Sequence, residues 1–306
     1  MSGAMHRRGA LAGLVSVGLT AAASAQQAAP VLQGFATPEA AAVALTEAIR
    51  RLDGKAVAAI LGDRWREFIP TDDKDFGRDR PTYLAGWDEI HHVKVDGDKA
   101  IVEVGKTGWT LPVPIVKGGS EWRFDVAAGL DELAAREFGR NELGAIQTLM
   151  AIADAQRDYA AMDPMKTGSP VYARRLLASP GRMDGLYWPS AAGRPQSPLG
   201  VQVAHSQGDG LTPGAHYGYN YRLLYGQGPA ARGGAHDYLV KDRLIGGFAA
   251  IAWPKRYGET GIMTFIMGYD GVVYQQDLGT ETAQRAATIL TFNPDKGWEK
   301  ADMALP

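Results

Sequence analysis

The sequence predicts an α+β protein made of two consecutive units. Three patterns carry that expectation. Short capped helices and two hairpins of alternating apolar residues fill the first third, a long run of helical periodicity follows from Asp131 to Tyr159, and strand patterns return after Tyr217. The chain has 306 residues, 45% of them hydrophobic and 22% charged, with 38 Gly and 17 Pro. That composition excludes a disordered chain, a collagen, a coiled coil and a multi-pass membrane protein, and the length suits about two domains. Thirty-two Lys and Arg against 34 Asp and Glu leave a formal charge of −2, which gives no electrostatic reason to expect a nucleic-acid partner.

Met5-His6-Arg7-Arg8 is a basic head, Gly9 to Ala23 an uncharged run, and Ala23-Ser24-Ala25 a small-residue end. This is the layout of a signal peptide over residues 1–25, cleaved before Gln26. The uncharged run falls short of the roughly 20 apolar residues that cross a bilayer as a helix. The expectation is therefore a periplasmic or secreted chain with no membrane insertion once mature. Cys is absent, which excludes a lipid-bearing cysteine, disulfides and thiol catalysis.

In the first unit, residues 26–129, Thr37-Pro38-Glu39 reads as a helix start, with Thr37 as N-cap and Pro38 at the first helical position. Val43, Leu45, Ala48, Ile49 and Leu52 carry the apolar positions, Asp53-Gly54 stops the helix, and Lys55 to Leu61 forms the next one. Thr71 to Arg80 reads as a polar loop and Pro81 to Glu89 as a third helix. Asp96-Gly97-Asp98 joins His92–Val95 to Ala100–Val104 in a hairpin, and Lys117 to Ser120 joins Trp109–Val116 to Glu121–Val126 in a second.

In the second unit, residues 130–306, Leu143, Ile146, Leu149, Met150, Ala153 and Tyr159 recur at helical spacing. Seven prolines make Met162 to Gly214 irregular. Strands are expected at Tyr217–Tyr225, Asp237–Val240, Gly247–Trp253, Gly261–Met267 and Val272–Gln276, and a closing helix at Glu281–Leu290. Phe248–Trp253 and Ile262–Met267 are apolar on both faces. One face would take the long helix, and the other is left for the irregular segment, the first unit or a second subunit, which keeps a homodimer open.

Several motifs resemble a bacterial family catalogued as domain of unknown function 2950. They are Phe35-Ala36-Thr37-Pro38-Glu39-Ala40, Trp122-Arg123-Phe124-Asp125, Gly139-Arg140-Asn141-Glu142, Ala155-Gln156-Arg157-Asp158-Tyr159, Gly185-Leu186-Tyr187-Trp188-Pro189, Gly246-Gly247-Phe248-Ala249, Gly261-Ile262-Met263-Thr264-Phe265, and Asp270-Gly271-Val272-Val273-Tyr274 through Asp277-Leu278-Gly279. The family implies no activity. Met162-Asp163-Pro164-Met165-Lys166 stands where many relatives are Asp/Gly-rich, which argues against a calcium-type loop. The first unit's element order resembles the cone-shaped fold of nuclear transport factor two, and the second half resembles the soluble part of type IV pilins and pseudopilins. Pilins bury the start of that helix in membrane, whereas Asp131-Glu132, Arg136-Glu137 and Arg140 stand here, so pilin-like anchoring is not expected.

No nucleophile elbow, zinc-protease helix or phosphate loop occurs. His91 and His92 follow Asp88-Glu89, but neighbours on a strand face opposite ways, and packing of one His beside Trp87 is favoured over a metal site. Asp72, Asp73, Asp75 and Asp79 are interleaved with Lys74, Arg78 and Arg80, so a solvated loop is favoured over a Ca²⁺ site. His216 and His236-Asp237 offer a base and a carboxylate without a nucleophile. Asp131-Glu132 reads as charge at a helix start. Tyr217, Tyr219, Tyr221, Leu223 and Tyr225 share one face of a strand, where a core surface is favoured over a sugar-stacking platform.

The remaining candidate is a ligand or partner groove at the junction of the units, lined by Tyr187, Trp188 and Trp253, with Tyr217, Tyr219 and Tyr221 nearby. No metal and no cofactor are expected. These features favour a non-enzymatic protein that binds an envelope protein or ligand. The alternative is a periplasmic hydrolase using carboxylates or His at the cleft between the units.

Overall fold

The computed structural model describes residues 32–71, 76–206 and 215–302; the expected signal peptide, residues 1–25, and Asp72, Asp73 and Asp75 lie outside them. Helix α1 (Pro38–Arg51) starts where Thr37 Oγ1 accepts the Ala40 N–H at 3.1 Å. It ends on Leu52 in the left-handed region, and Asp53 caps α2 (Gly54–Leu61) by accepting from Lys55 and Ala56 N–H. A 3₁₀ turn (Asp63–Glu67) leads towards α3 (Phe76–Glu89). That helix begins before Pro81, inside the expected polar loop. Pro81 forfeits one helical bond, and the carbonyl it frees belongs to exposed Gly77, where water can serve it.

Strands β1 (His91–Asp96) and β2 (Lys99–Val104) pair around the expected turn, with Asp96 opposite Lys99. The expected strand Trp109–Val116 is broken into β3 (Trp109–Thr110), paired with β2, and β4 (Ile115–Gly118). Pro112 and Pro114 lack the N–H a ladder needs. With β5 (Glu121–Phe124) these strands form one antiparallel sheet, ordered β1-β2-β4-β5, with β3 on β2. Ala100, Val102 and Val104 point inward at period two and meet α1, α2 and α3.

Helix α4 (Val126–Met162) runs 37 residues, about 55 Å at 1.5 Å per residue. It begins five residues earlier than its periodicity shows, because Asp125 caps it by accepting the Ala128 N–H at 3.0 Å. Asp163, in the left-handed region, ends it. Among the described residues up to 206, a single turn, α5 (Val201–Ala204), interrupts the otherwise irregular stretch that follows. Gln156 holds that stretch to α4 by exchanging bonds of 2.9 and 2.8 Å with the Ala173 backbone, and Tyr159 donates to the Met183 carbonyl at 2.7 Å.

The strands of the second sheet are β6 (Tyr219–Leu224), β11 (Ala249–Pro254), β12 (Met263–Gly268), β13 (Val273–Asp277) and β14 (Glu299–Lys300). Between β6 and β11 lie the short pairs β7 (Gly226–Gln227) with β8 (His236–Asp237) and β9 (Leu239–Val240) with β10 (Arg243–Leu244). The sheet order is β14-β13-β12-β11-β6, antiparallel throughout. Both faces of β11 are buried, as its sequence requires. Helix α4 covers one. The other takes α6 (Thr282–Thr288) and the residues after it, with Phe292 against Gly268 of β12, a piece of this chain that the sequence pattern did not nominate for the task.

Buried apolar side chains fall into two clusters. One joins α1 and α2 to the first sheet around Leu45, Leu61, Val102 and Ile115; the other joins α4 from Ala145 onward to the second sheet around Leu149, Ile152, Tyr221 and Phe265. Helix α4 runs from one to the other. No helix among the described residues is long and apolar enough to cross a membrane.

The Asp163 carboxylate accepts the Thr167 N–H and hydroxyl at 2.7 and 2.8 Å and the Gly168 N–H at 2.8 Å. These backbone bonds hold its pKa below the ordinary value. It is thus occupied by the protein's own donors rather than offered to a cation. A depressed folded-state pKa adds stability above the unfolded pKa of about 3.9, and that contribution is lost as pH falls through the folded value. Asp163→Asn keeps a residue that tolerates the left-handed region. Its melting temperature is expected below wild type by a constant amount from about pH 5 to 8, the gap closing below about pH 4. Thermal melts across that range check this, and a gap that persists at acid pH would contradict the role given to the charge.

Candidate functional site

The groove expected from the sequence is not open. Trp188, Tyr219 and Tyr221 are at most 1% exposed and Trp253 is 7% exposed, all within the second core. The strand register shows why they do not converge. Tyr221 lies opposite Ala252 and Tyr219 opposite Pro254, on the face beneath α4, whereas Trp253 lies opposite Asn220 on the other face, with the Arg222 guanidinium 5.8 Å from its ring. Trp188 donates its indole N–H to the Pro195 carbonyl at 2.9 Å, and Tyr187 is half-buried against His205. Tyr217 is not on the strand. It has φ of 50°, is half-exposed, and packs so tightly on Gly144 of α4 that a Cβ there would lie 2.4 Å from its ring.

The other candidates also resolve into packing. His91 stacks on Trp87 at 3.8 Å, with its Nδ1 2.8 Å from the Trp87 carbonyl. His236 leans on the Gly234 and Gly246 carbonyls. Burial lowers the pKa of His216. The described residues contain no group of three or more His, Asp or Glu placed to hold a metal ion.

The site that the tertiary structure does form lies where α4 leaves the first core. It is a cavity of about 390 Å³, within the range of small-ligand pockets. Leu45 and Ile49, one turn apart on α1, make its floor with Leu61. Phe68, Ile69 and Pro70 line one side, and the broken strand contributes Leu111, Pro112 and Val113. Helix α4 places Leu133, Arg136 and Arg140 at i, i+3 and i+7 on the facing stripe, and α3 adds Asp79, Arg80 and Tyr83.

Its polar groups are held by identifiable contacts. Thr46 donates its hydroxyl hydrogen to the Ala42 carbonyl at 3.0 Å, so Tyr83 must be the donor in the 2.8 Å bond between the two hydroxyls. Burial pushes the Tyr83 pKa up to about 12, which keeps the phenol neutral. Trp109 is half-exposed at the rim, edge-on to Tyr83 at 6.2 Å and 5.9 Å from the Arg136 guanidinium. Arg136 is anchored to Glu132 at 2.8 Å and to the Thr110 carbonyl and hydroxyl, each at 2.8 Å. Arg80 donates to the Ile49 and Arg50 carbonyls at 3.1 and 2.6 Å, at the end of α1. The only carboxylate among the lining residues, Asp79, is paired with Arg78 at 2.9 Å.

A second hollow of about 440 Å³ lies beside Arg222, Leu224, Asp237 and Leu290. There Arg222 donates one Nη to the Ala286 and Ile289 carbonyls at 2.7 and 2.9 Å, while its buried Nε has no partner among the described residues.

The family model described as protein of unknown function, DUF2950, matches residues 32–301, which includes every residue lining the first cavity. The chain belongs to the DUF2950 family. No curated protein and no solved structure matches it. Within this DUF2950 chain the Gly139-Arg140-Asn141-Glu142 motif has a structural role: Asn141 donates to the Thr260 carbonyl at 3.0 Å, and Glu142 accepts the Ile262 and Met263 N–H groups at 2.9 and 3.0 Å. Sequence reasoning missed the cavity because its walls come from α1, α3, the broken strand and α4. The legible signals were Pro112 and Pro114, which end a strand, and the Leu133, Arg136, Arg140 stripe.

Two outcomes test this geometry. A Cβ on buried Gly129 would lie 2.8 Å from the Phe68 ring and 3.0 Å from the Val113 backbone. Overpacking costs about 1–3 kcal/mol and exceeds the roughly 1 kcal/mol of helix propensity gained. Gly129→Ala is therefore expected to unfold at lower denaturant. Tyr83→Phe should lose about 1 kcal/mol through its bond to Thr46; an unchanged chemical-denaturation midpoint would show that this hydroxyl does not matter.

Proposed function

We propose that this DUF2950 protein is a non-catalytic binding protein of the cell envelope, exported by residues 1–25, whose site is the cavity between α1, α3 and α4. One observation carries this reading: a largely apolar hollow of about 390 Å³ in which the one lining carboxylate among the described residues, Asp79, is paired with Arg78. Hydrolysis of the glycosidase type uses two carboxyl groups flanking the substrate, and the described lining offers one, so it favours binding over the hydrolase alternative. The basic head, uncharged run and Ala23-Ser24-Ala25 of the sequence support export. On this reading the division near residues 129 and 130 separates a binding unit from a supporting one, the latter ordered like a pilin head, with α4 serving both.

The test is titration with 1-octanol, an uncharged probe with an apolar body, followed by calorimetry and by tryptophan fluorescence. Trp109 at the rim is one of seven tryptophans, so the difference between wild type and Trp109→Phe isolates its signal. Wild type should bind saturably, and Leu133→Trp, which fills the cavity, should bind at least about tenfold more weakly, a loss of about 1.4 kcal/mol. Absence of saturable binding to wild type, or equal binding by Leu133→Trp, would overturn the reading.

A further inference from the structure

The binding reading above leaves the chemistry of the occupant open, and the charges around the cavity narrow it. Four charged side chains line the cavity: Asp79 and Arg80 from α3, and Arg136 and Arg140 from α4. Asp79 is paired with Arg78, and Arg136 with Glu132. Arg80 is held by two backbone carbonyls, which fix its position without supplying a full counter-charge. The Arg140 side chain is exposed and makes no hydrogen bond or ion pair among the described residues. Arg80 on α3 and Arg140 on α4 therefore line the same largely apolar hollow, and neither has a carboxylate partner among the described residues.

We propose that the cavity binds a small amphipathic acid, with an alkyl body along Ile49, Phe68, Leu111 and Leu133 and an anionic carboxylate at Arg140, supported by Arg80. Two physical reasons favour this occupant. Unneutralised guanidinium groups at the edge of a low-dielectric hollow repel each other and any cationic guest, and an anion between them removes that repulsion. A guanidinium also presents two parallel N–H donors that match the two oxygens of a carboxylate, a geometry that an alcohol or ammonium head cannot use. Because α4 carries both Leu133, which meets the body, and Arg140, which meets the head, the ligand lies along the helix for nearly two turns. The proposal rests on the binding reading, and its test separates the two.

The experiment compares octanoate, 1-octanol and octyltrimethylammonium on the whole mature chain by calorimetry at low salt. Octanoate should bind roughly tenfold or more tightly than octanol, as one charge-assisted bond requires, and the ammonium should bind most weakly. In Arg140→Gln the ratio of octanoate to octanol affinity should fall towards one, and in wild type it should fall as salt is raised. The Arg140 side chain is exposed and holds no hydrogen bond or ion pair among the described residues, so circular dichroism of the variant should match wild type. Equal affinity for octanoate and octanol, a ratio that survives Arg140→Gln, or tightest binding of the ammonium would each overturn the acid proposal while leaving the cavity as a binding site. If 1-octanol does not bind wild type saturably, the binding reading falls and this proposal with it.

Discussion

The structure depends on one helix being held in register at both ends. Helix α4 is long enough to serve two cores, and a rotation by one residue, about 100°, would turn its apolar stripe away from the second sheet. Polar contacts set that rotation. Near its start, Asp125 caps the first turn, Gly129 admits Phe68 and Val113, and Arg136 reaches Thr110. In its middle, Asn141 and Glu142 engage the backbone from Thr260 to Met263, where β12 begins. Glu142 is well suited to this because a carboxylate accepts several bonds, and two N–H groups converge on one oxygen. The side chains that follow, from Ala145 to Tyr159, are thereby placed over Tyr219, Tyr221 and Phe265.

The same arrangement explains how the second core accommodates buried polar groups. Gln156 is 0% exposed, yet both ends of its amide are satisfied by one backbone unit, Ala173. The irregular segment is therefore ordered over α4 without forming a regular element. Arg222 emerges on the opposite face of the sheet and donates to carbonyls at the end of α6, where a cation also meets the negative end of the helix dipole. Burial lowers its pKa, but an arginine begins so high that it stays charged. That contact ties α6 over Trp253 and closes the second face of β11 from within the chain.

Legibility followed the range of the interactions. Helix α1 was readable because Thr37, Pro38 and Glu39 act within one turn, and the hairpin β1-β2 because its turn and alternation are adjacent in sequence. Helix α3 was read five residues short, since Pro81 looks like a first position until Gly77 is seen to be exposed. The tyrosine row was half right: Tyr219 and Tyr221 form a core face, and Tyr217 leaves the strand at a left-handed turn. The expected groove failed for a simpler reason. Large aromatic residues make the largest contribution to burial, so a cluster of them marks a core at least as readily as a surface.

The sequence by itself determined the α+β class, the helices and most strands, the family, and the absence of any local catalytic motif. Each of these is encoded in neighbouring residues through caps, turns and periodicity. Only the tertiary structure decided which surfaces are covered and where a cavity remains, because these depend on residues separated by as many as 121 positions, as in the Glu142 bond to Met263. Leu45 and Arg140 line one hollow although nothing in either local sequence refers to the other. What joins them is the direction in which α4 leaves the first sheet, and that direction is set by Asp125, Gly129 and Arg136 acting together.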